Sequence, residues 1–140
     1  MAQSVRPVLD RRCLEALMLT VEVIEDDVAM RTLLSEWLAG EGYRVRARAS
    51  NSEDGGADAD LVVLDLPYPP AHGAAHVARV KARHPGAALV GLSTWLHGLS
   101  TGESQRARAL GVQRVVAKPC SRRELLDAVG SAAGTLLRDP

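Results

Sequence analysis

The sequence feature that most constrains the fold is a run of four apolar residues, Leu61 to Leu64, that ends on Asp65. Two of the four are β-branched and no polar residue interrupts them. The run therefore predicts a short strand buried on both faces, as in a parallel sheet with helices on either side. In an open α/β sheet, ligands bind outside the carboxyl ends of the strands. We therefore expect Asp65 to lie at the mouth of a functional site.

Four further predicted strands alternate with helical segments along the chain. Such alternation is typical of an α/β fold, and we predict a doubly wound sheet of five parallel strands in the flavodoxin-like order 2-1-3-4-5. The predicted strands are 19–24, 43–49, 61–65, 87–92 and 112–117, and the predicted helices are 28–39, 73–83, 103–110 and 121–137.

A chain of 140 residues has the length of one domain. We assign residues 19–138 to that domain and residues 1–18 to an N-terminal extension, which is either a docked helix or disordered. Only residues 50–59 separate the second and third predicted strands, whereas a parallel crossover usually takes a full helix. We therefore expect the second helix of the fold to be truncated.

Capping residues mark the ends of two predicted helices. Asp27 is a suitable N-cap for the first helix, and Ser121 followed by Glu124 forms a capping box before the last. The apolar face of the first helix, which we expect to be buried, consists of Met30, Leu33, Leu34, Trp37 and Leu38.

Composition excludes several classes of protein. Seventeen Lys and Arg balance seventeen Asp and Glu, so the net charge does not indicate nucleic-acid binding. The apolar runs are too short to span a membrane. Cys13 and Cys120 lack metal-ligand spacing and no secretory leader is evident, so we predict a reduced, cytoplasmic protein. His72 and His76 have the spacing of a metal pair, but without a third ligand nearby we interpret them as ordinary exposed histidines.

The second predicted strand alternates small or apolar residues with Arg44, Arg46 and Arg48. This pattern is typical of an edge strand with one wet face, so a solvated row of arginines is the simplest interpretation. Glu22 of the first strand would lie on the same face. We therefore also predict an ion pair between Glu22 and one of the three arginines.

The ends of four predicted strands carry groups suited to phosphoryl transfer. Asp65 can act as a carboxylate nucleophile, Lys118 can bind one phosphoryl oxygen, and Ser93 can donate to another. Carboxylates brought close together repel each other, and a hard divalent cation such as Mg²⁺ removes that cost. The candidate metal ligands are Glu25, Asp26, Asp65 and the backbone carbonyl of Pro67. The alternative for the acids at 25–27 is a solvated loop that caps the next helix.

These motifs resemble the receiver domain of two-component response regulators over about residues 19–137. The matching features are the acidic motif at 23–27, Leu64-Asp65 with Pro69 and Gly73, the hydroxyl of Ser93, and Lys118 followed by a cis-proline bond at Pro119.

The resemblance implies a regulatory, stand-alone domain that catalyses at most its own phosphorylation and dephosphorylation. A histidine kinase or histidine phosphotransfer protein would phosphorylate Asp65 in the presence of Mg²⁺. The domain would then signal by binding a downstream protein, and a homodimer through the two helices that flank the fifth strand is also a family feature.

Several residues depart from the family pattern. Val115 stands where the family has an aromatic switch residue, Thr94 where it has a small one, and Pro67 has no backbone donor. The loop that carries Trp95, Leu96 and Leu99 is either folded onto the fourth strand or a partner surface.

Two alternatives therefore stay open. The first is a pseudo-receiver that binds proteins without being phosphorylated. The second is a phosphohydrolase with an Asp nucleophile, which Pro67 disfavours because it occupies the place of that chemistry's second acid.

Overall fold

The computed structural model describes residues 19–52, 58–95 and 101–138, so the N-terminal extension predicted at 1–18 lies outside it. Its strands form one five-stranded parallel sheet in the order β2-β1-β3-β4-β5, and the predicted topology is confirmed. The elements in chain order are β1 (Thr20–Ile24), α1 (Val28–Gly40), β2 (Arg44–Arg48), β3 (Leu61–Asp65), α2 (Pro70–Arg83), β4 (Ala88–Ser93), α3 (Thr101–Leu110), β5 (Arg114–Ala117) and α4 (Arg122–Arg138).

The central strand β3 separates two apolar layers. Successive side chains of a strand point to opposite faces. Leu61 and Val63 accordingly join the layer that contains α1 and α4, whereas Val62 and Leu64 join the layer on the α2 side. All four side chains are fully buried, which confirms the strand predicted from the apolar run. Within the described part of the chain, no helix has the length and apolar composition needed to cross a membrane.

The helix caps agree with the sequence, but two helices begin earlier than predicted. Helix α3 begins at Thr101, two residues before the predicted start at Glu103. The Asp27 carboxylate accepts a hydrogen bond from the backbone N–H of Met30, and Ser121 and Glu124 form the reciprocal bonds of a capping box. Helix α2 begins at Pro70, three residues before the predicted start at Gly73. Proline is tolerated there because the first-turn N–H groups of a helix have no partner within the helix.

One residue predicted to be buried in α1 is exposed. Leu34 and Leu38 are fully buried and Met30 and Trp37 pack against the same layer, but the side chain of Leu33 is 39% exposed. At about 100° per residue, Leu33 lies about a third of a turn from the common direction of Leu34 and Leu38. The apolar face predicted from helical spacing is therefore wider than the face of α1 that packs against the sheet.

A buried ion cluster lies on the α2 side of the sheet. The Glu22 carboxylate, on β1, accepts hydrogen bonds from Arg46 at 2.9 Å and from Arg48 at 2.7 Å, which confirms the predicted ion pair. The side chain of Arg48 is only 10% exposed, so its interpretation as part of a solvated row was wrong. The reason is Glu22 itself, because a buried carboxylate holds the guanidinium group against the sheet. His84, also buried, places Nε2 3.5 Å from the same carboxylate.

Packing next to β3 depends on a glycine in β4. A Cβ atom on Gly91 would lie 2.5 Å from Leu66 Cδ1 and 2.9 Å from its Cγ. Leu66 is buried at the carboxyl end of the sheet, so it has little room to move aside. Gly130 of α4 differs, because a Cβ atom there would meet no neighbour within 4 Å.

We expect Gly91→Ala to lower the free energy of unfolding by about 2 kcal/mol, because the methyl group overpacks the core against Leu66. Gly130→Ala is the matched control and should raise it by about 0.5–1 kcal/mol, since alanine has the higher helix propensity. Urea denaturation followed by circular dichroism measures both. Equal effects of the two substitutions would contradict the packing described for Gly91.

The Glu22 cluster gives the stability a specific pH dependence. Burial raises the pKa of Glu22, but the hydrogen bond and charge of Arg48, with the charge of Arg46, outweigh it and hold the pKa below the ordinary 4.5. A depressed folded-state pKa contributes stability that is present above the unfolded-state pKa and is lost as the pH falls through the folded-state value.

We therefore expect Glu22→Gln to cost about 2 kcal/mol of unfolding free energy near pH 7, and progressively less below about pH 4.5 as the wild-type carboxylate becomes protonated. Glu36→Gln, at an exposed position of α1, serves as the control. Urea denaturation across this pH range tests the prediction. A difference from wild type that stays constant with pH would show that the charge of Glu22 is not responsible.

Candidate functional site

The carboxyl edge of the sheet brings together three of the predicted site residues. The ammonium group of Lys118, directly after β5, donates hydrogen bonds to Glu25 Oε1 at 2.9 Å and to Asp65 Oδ1 at 3.1 Å. Glu25 is buried, whereas the side chain of Asp65 is 36% exposed. One cation thus bridges the ends of β1 and β3, and the accessible member of the cluster is the predicted nucleophile. The Lys118–Pro119 bond is cis.

The bridge keeps Lys118 charged. Burial alone lowers the pKa of its ammonium group, but the hydrogen bonds and charges of Glu25 and Asp65 outweigh burial and raise the pKa above 10.5. The group therefore stays protonated at any physiological pH. A fixed positive charge beside Asp65 can stabilise negative charge that arrives on the carboxylate or on a group bound to it.

Asp26 is oriented by a residue that the sequence did not single out. Its two carboxylate oxygens accept hydrogen bonds from the backbone N–H of Ser50 at 2.6 Å and from the Ser50 hydroxyl at 2.9 Å. The backbone hydrogen bond contributes most to lowering the pKa of Asp26, so the exposed carboxylate is held ionised. Strand register could have indicated this contact, because Ile24 pairs with Arg48 and residue 50 therefore follows β2 as residue 26 follows β1.

Ser93 ends β4, which lies between the strands that lead to Asp65 and Lys118, and Trp95 follows two residues later. The buried hydroxyl oxygen of Ser93 accepts a hydrogen bond from the backbone N–H of Trp95 at 3.0 Å. The indole N–H of Trp95 donates to the backbone carbonyl of Leu66 at 3.0 Å, and its ring makes an edge contact with Tyr68 at a centroid distance of 5.9 Å. Trp95 is therefore folded onto the end of β3. Leu96 and Leu99 lie outside the described residues.

A metal ion was predicted from oxygen donors at this edge. Within residues 19–52, 58–95 and 101–138, no three acidic, histidine or cysteine side chains gather into a metal-binding group. Mg²⁺ does not require one, since proteins usually hold it through one or two carboxylates, with waters and substrate oxygens completing the shell. Asp26, ionised, and Asp65 are donors of that kind. A Cβ atom on Gly73 would lie 3.3 Å from the Pro67 carbonyl oxygen, so the glycine leaves space beside this third predicted donor.

Glu25 has a different environment from Asp26 and Asp65. One of its carboxylate oxygens accepts from Lys118, and the other accepts from the backbone N–H of Asp27 at 3.1 Å. Because its side chain is buried, whereas those of Asp26 and Asp65 reach solvent, Glu25 suits a counter-ion of Lys118 better than a direct metal ligand. Whether it binds a metal stays a prediction.

The histidine pair is divided between two environments. His72 is exposed, as predicted, but His76 lies on the buried face of α2, so its interpretation as an exposed residue was wrong. The buried residues of α2, at positions 73, 76, 77 and 80, follow helical spacing and include it. Burial is the main reason why the pKa of His76 lies below its ordinary 6.5.

Comparison with known proteins identifies the relatives of this chain. The family model for the response regulator receiver domain matches residues 21–130. The protein-glutamate methylesterase/protein-glutamine glutaminase of Nitrobacter winogradskyi is 31% identical over 116 residues, which cover 79% of this chain and 27% of that protein. The chain spans about a quarter of the length of the curated relatives it matches.

Solved structures share the fold. The CheY-like receiver domain protein of Methanospirillum hungatei superposes with a TM-score of 0.70 at 18% identity, covering 87% of this chain and 98% of that one. A Burkholderia pseudomallei response regulator, solved with a phosphorylated aspartic acid, calcium ion and citrate, gives a TM-score of 0.63 at 23% identity, with 87% and 75% covered.

The Lys118 bridge predicts a stability effect. We expect Lys118→Met to lower the free energy of unfolding by about 2–3 kcal/mol, because it leaves the buried carboxylate of Glu25 without its cation. Lys81→Met, at an exposed lysine of α2, is the control and should stay within about 0.5 kcal/mol of wild type. The double variant Lys118→Met with Glu25→Met should recover part of the loss, since no unpaired charge is then buried. Urea denaturation at neutral pH measures all three, and an unchanged Lys118→Met would refute the bridge.

Proposed function

This chain belongs to the response regulator receiver domain family, and from that premise we propose that it accepts a phosphoryl group on Asp65 from a histidine kinase or a histidine phosphotransfer protein. The observation that carries the proposal is the contact between Lys118 and Asp65 at the open edge of the sheet. It gives an accessible carboxylate a permanent cation within hydrogen-bond distance, which phosphoryl transfer to a carboxylate needs.

In the proposed step, a carboxylate oxygen of Asp65 attacks the phosphorus atom of a phosphohistidine. The new P–O bond forms as the P–N bond breaks, and the bonding electron pair leaves with the imidazole nitrogen. Lys118 offsets charge on one phosphoryl oxygen, and the hydroxyl of Ser93 donates to another. The Ser93 oxygen accepts a hydrogen bond from the backbone N–H of Trp95 at 3.0 Å, which holds the hydroxyl group at the end of β4.

Mg²⁺ is the proposed cofactor, and when bound it supplies positive charge to the phosphoryl oxygens. The residues proposed to hold it are Asp26, Asp65 and the backbone carbonyl of Pro67, and Glu25 supports the site by pairing with Lys118. The Burkholderia pseudomallei response regulator, with its phosphorylated aspartic acid and calcium ion, lends support from a protein of the same fold.

The proposed output is binding to a downstream protein. We place this phosphoryl transfer and binding in the cytoplasm, where the free thiol of Cys120 stays reduced.

Val115 stands where the family has an aromatic switch residue, and it is partly buried against the α2-side layer. A valine offers no aromatic side chain that could move with Ser93. Any signal from Ser93 must therefore travel by another contact. A homodimer through α3 and α4 stays a prediction.

The proposal predicts that phosphoramidate, a small phosphodonor, phosphorylates the protein in the presence of Mg²⁺. Intact-mass spectrometry should show one added phosphoryl group on the wild type and on Asp127→Asn, which alters an exposed carboxylate of α4. Asp65→Asn should show none, because its amide oxygen is a poor nucleophile. Phosphorylation of Asp65→Asn to the wild-type extent would place the acceptor elsewhere.

A second measurement separates a phosphorylated receiver from a binding module that keeps only the fold. Beryllofluoride with Mg²⁺ mimics an aspartyl phosphate, and we expect it to shift the amide NMR signals around Asp65, Ser93 and Lys118. A spectrum that does not respond, together with no phosphoryl transfer, would overturn the proposal in favour of the binding module.

A further inference from the structure

The loop that follows β2, residues 49–52, reaches the proposed site from the edge of the sheet. Ser50 donates one hydrogen bond to each carboxylate oxygen of Asp26, from its backbone N–H at 2.6 Å and from its hydroxyl at 2.9 Å. A carboxylate oxygen has two lone pairs, so each oxygen keeps one free. Ser50 thus fixes the rotation of the Asp26 carboxylate and leaves it able to bind a cation.

The loop is itself held from the interior by Arg48. The guanidinium group donates to the backbone carbonyls of Ala49 at 3.3 Å and Ser52 at 3.2 Å, and its Nε donates to Glu22 at 2.7 Å. The side chains of Arg48 and Glu22 are 10% and 7% exposed, so this ion pair is shielded from water. A short, shielded ion pair holds the loop more firmly than exposed contacts would.

Among the described residues, no helix directly follows β2 to support the backbone that carries Ser50. A parallel crossover normally runs through a helix, yet the described residues between β2 and β3, 49–52 and 58–60, contain none. Glu22 is a carboxylate in a strand whose Val21, Val23 and Ile24 side chains are fully buried. Burying it is costly unless it is paired, and its pairing with Arg48 anchors the backbone that carries Ser50.

We infer that Ser50 and Arg48 are positioning residues for the cation of the phosphoryl-transfer site, with Ser50 orienting the carboxylate of Asp26 and Arg48 holding Ser50 in place. The inference rests on the proposed function, because it concerns the metal ligand assigned there. Hydrogen bonds to a ligating carboxylate typically change metal affinity by about 10- to 100-fold when they are removed.

The test is a Mg²⁺ titration of the unphosphorylated protein, followed through the amide NMR signals near Asp26 and Asp65. Ser50→Ala removes the hydroxyl and keeps the backbone donor, so we expect its Kd for Mg²⁺ to rise about tenfold. Ser50→Thr keeps a hydroxyl and should restore an affinity close to that of wild type. Asn51→Ala, at the exposed neighbouring position, should bind Mg²⁺ as wild type does.

The role of Arg48 is tested in the same titration. Arg48→Met should also raise the Kd, whereas Arg44→Met, on the exposed part of the same strand, should not. Because Arg48→Met removes one of the two arginines that pair with the buried carboxylate of Glu22, the double variant Arg48→Met with Glu22→Gln removes both charges and keeps the test valid if the single variant unfolds. The double variant should retain the raised Kd, since the loop still lacks its anchor.

Phosphorylation kinetics separate positioning from a general loss of structure. At saturating Mg²⁺, Ser50→Ala should be phosphorylated by phosphoramidate at the wild-type rate, and only the Mg²⁺ concentration required should increase. If the wild type binds Mg²⁺ and Ser50→Ala binds it equally well or more tightly, the inference is overturned and the proposed function stands. If the wild type binds no Mg²⁺, both the inference and the proposed metal site fail.

Discussion

The site depends on one cation between two carboxylates. Glu25 and Asp65 end neighbouring parallel strands, and two unit charges 4 Å apart at a surface-like dielectric would repel by about 4 kcal/mol. Lys118 contacts both and converts that repulsion into two charge-assisted hydrogen bonds. Because one carboxylate is buried and the other is accessible, the same contact contributes to the stability of the fold and keeps a reactive group at the surface.

The sequence was sufficient to predict the sheet order, the helix caps and the residues at the strand ends, because each depends on local pattern or on general rules of parallel sheets. The contacts of Trp95 and Ser50 were harder to predict from the sequence. Each acts through a loop whose path no periodicity describes, and Trp95 contributes by donating to the Leu66 carbonyl. His76 was mistaken for an exposed residue although its spacing from Val77 and Val80 follows the buried face of α2.

Two charged clusters contribute to the site at the carboxyl edge of the sheet, and they differ in burial. The Lys118 cluster lies at the surface end of the strands, and the Glu22 cluster lies within the layer on the α2 side. Residues 48 and 50 connect them, since Arg48 belongs to the buried cluster and Ser50 contacts the acid next to Glu25. A buried ion pair is weak support for overall stability. Its role here is to position the loop, because Arg48 also donates to the backbone carbonyls of Ala49 and Ser52.

Strand register explains why the bridging cation is carried by a long side chain. Ile24 pairs with Leu64, so Glu25 and Asp65 stand at the same level of the sheet. Asp65 pairs with Leu92 and Ser93 pairs with Ala117, so Ser93 lies one residue beyond that level and Lys118 lies two beyond it. Each step is about 3.3 Å along the strands. A side chain that begins two residues beyond the level of the carboxylates must be long and flexible. Its aliphatic part can then be buried while its charged group reaches both carboxylates.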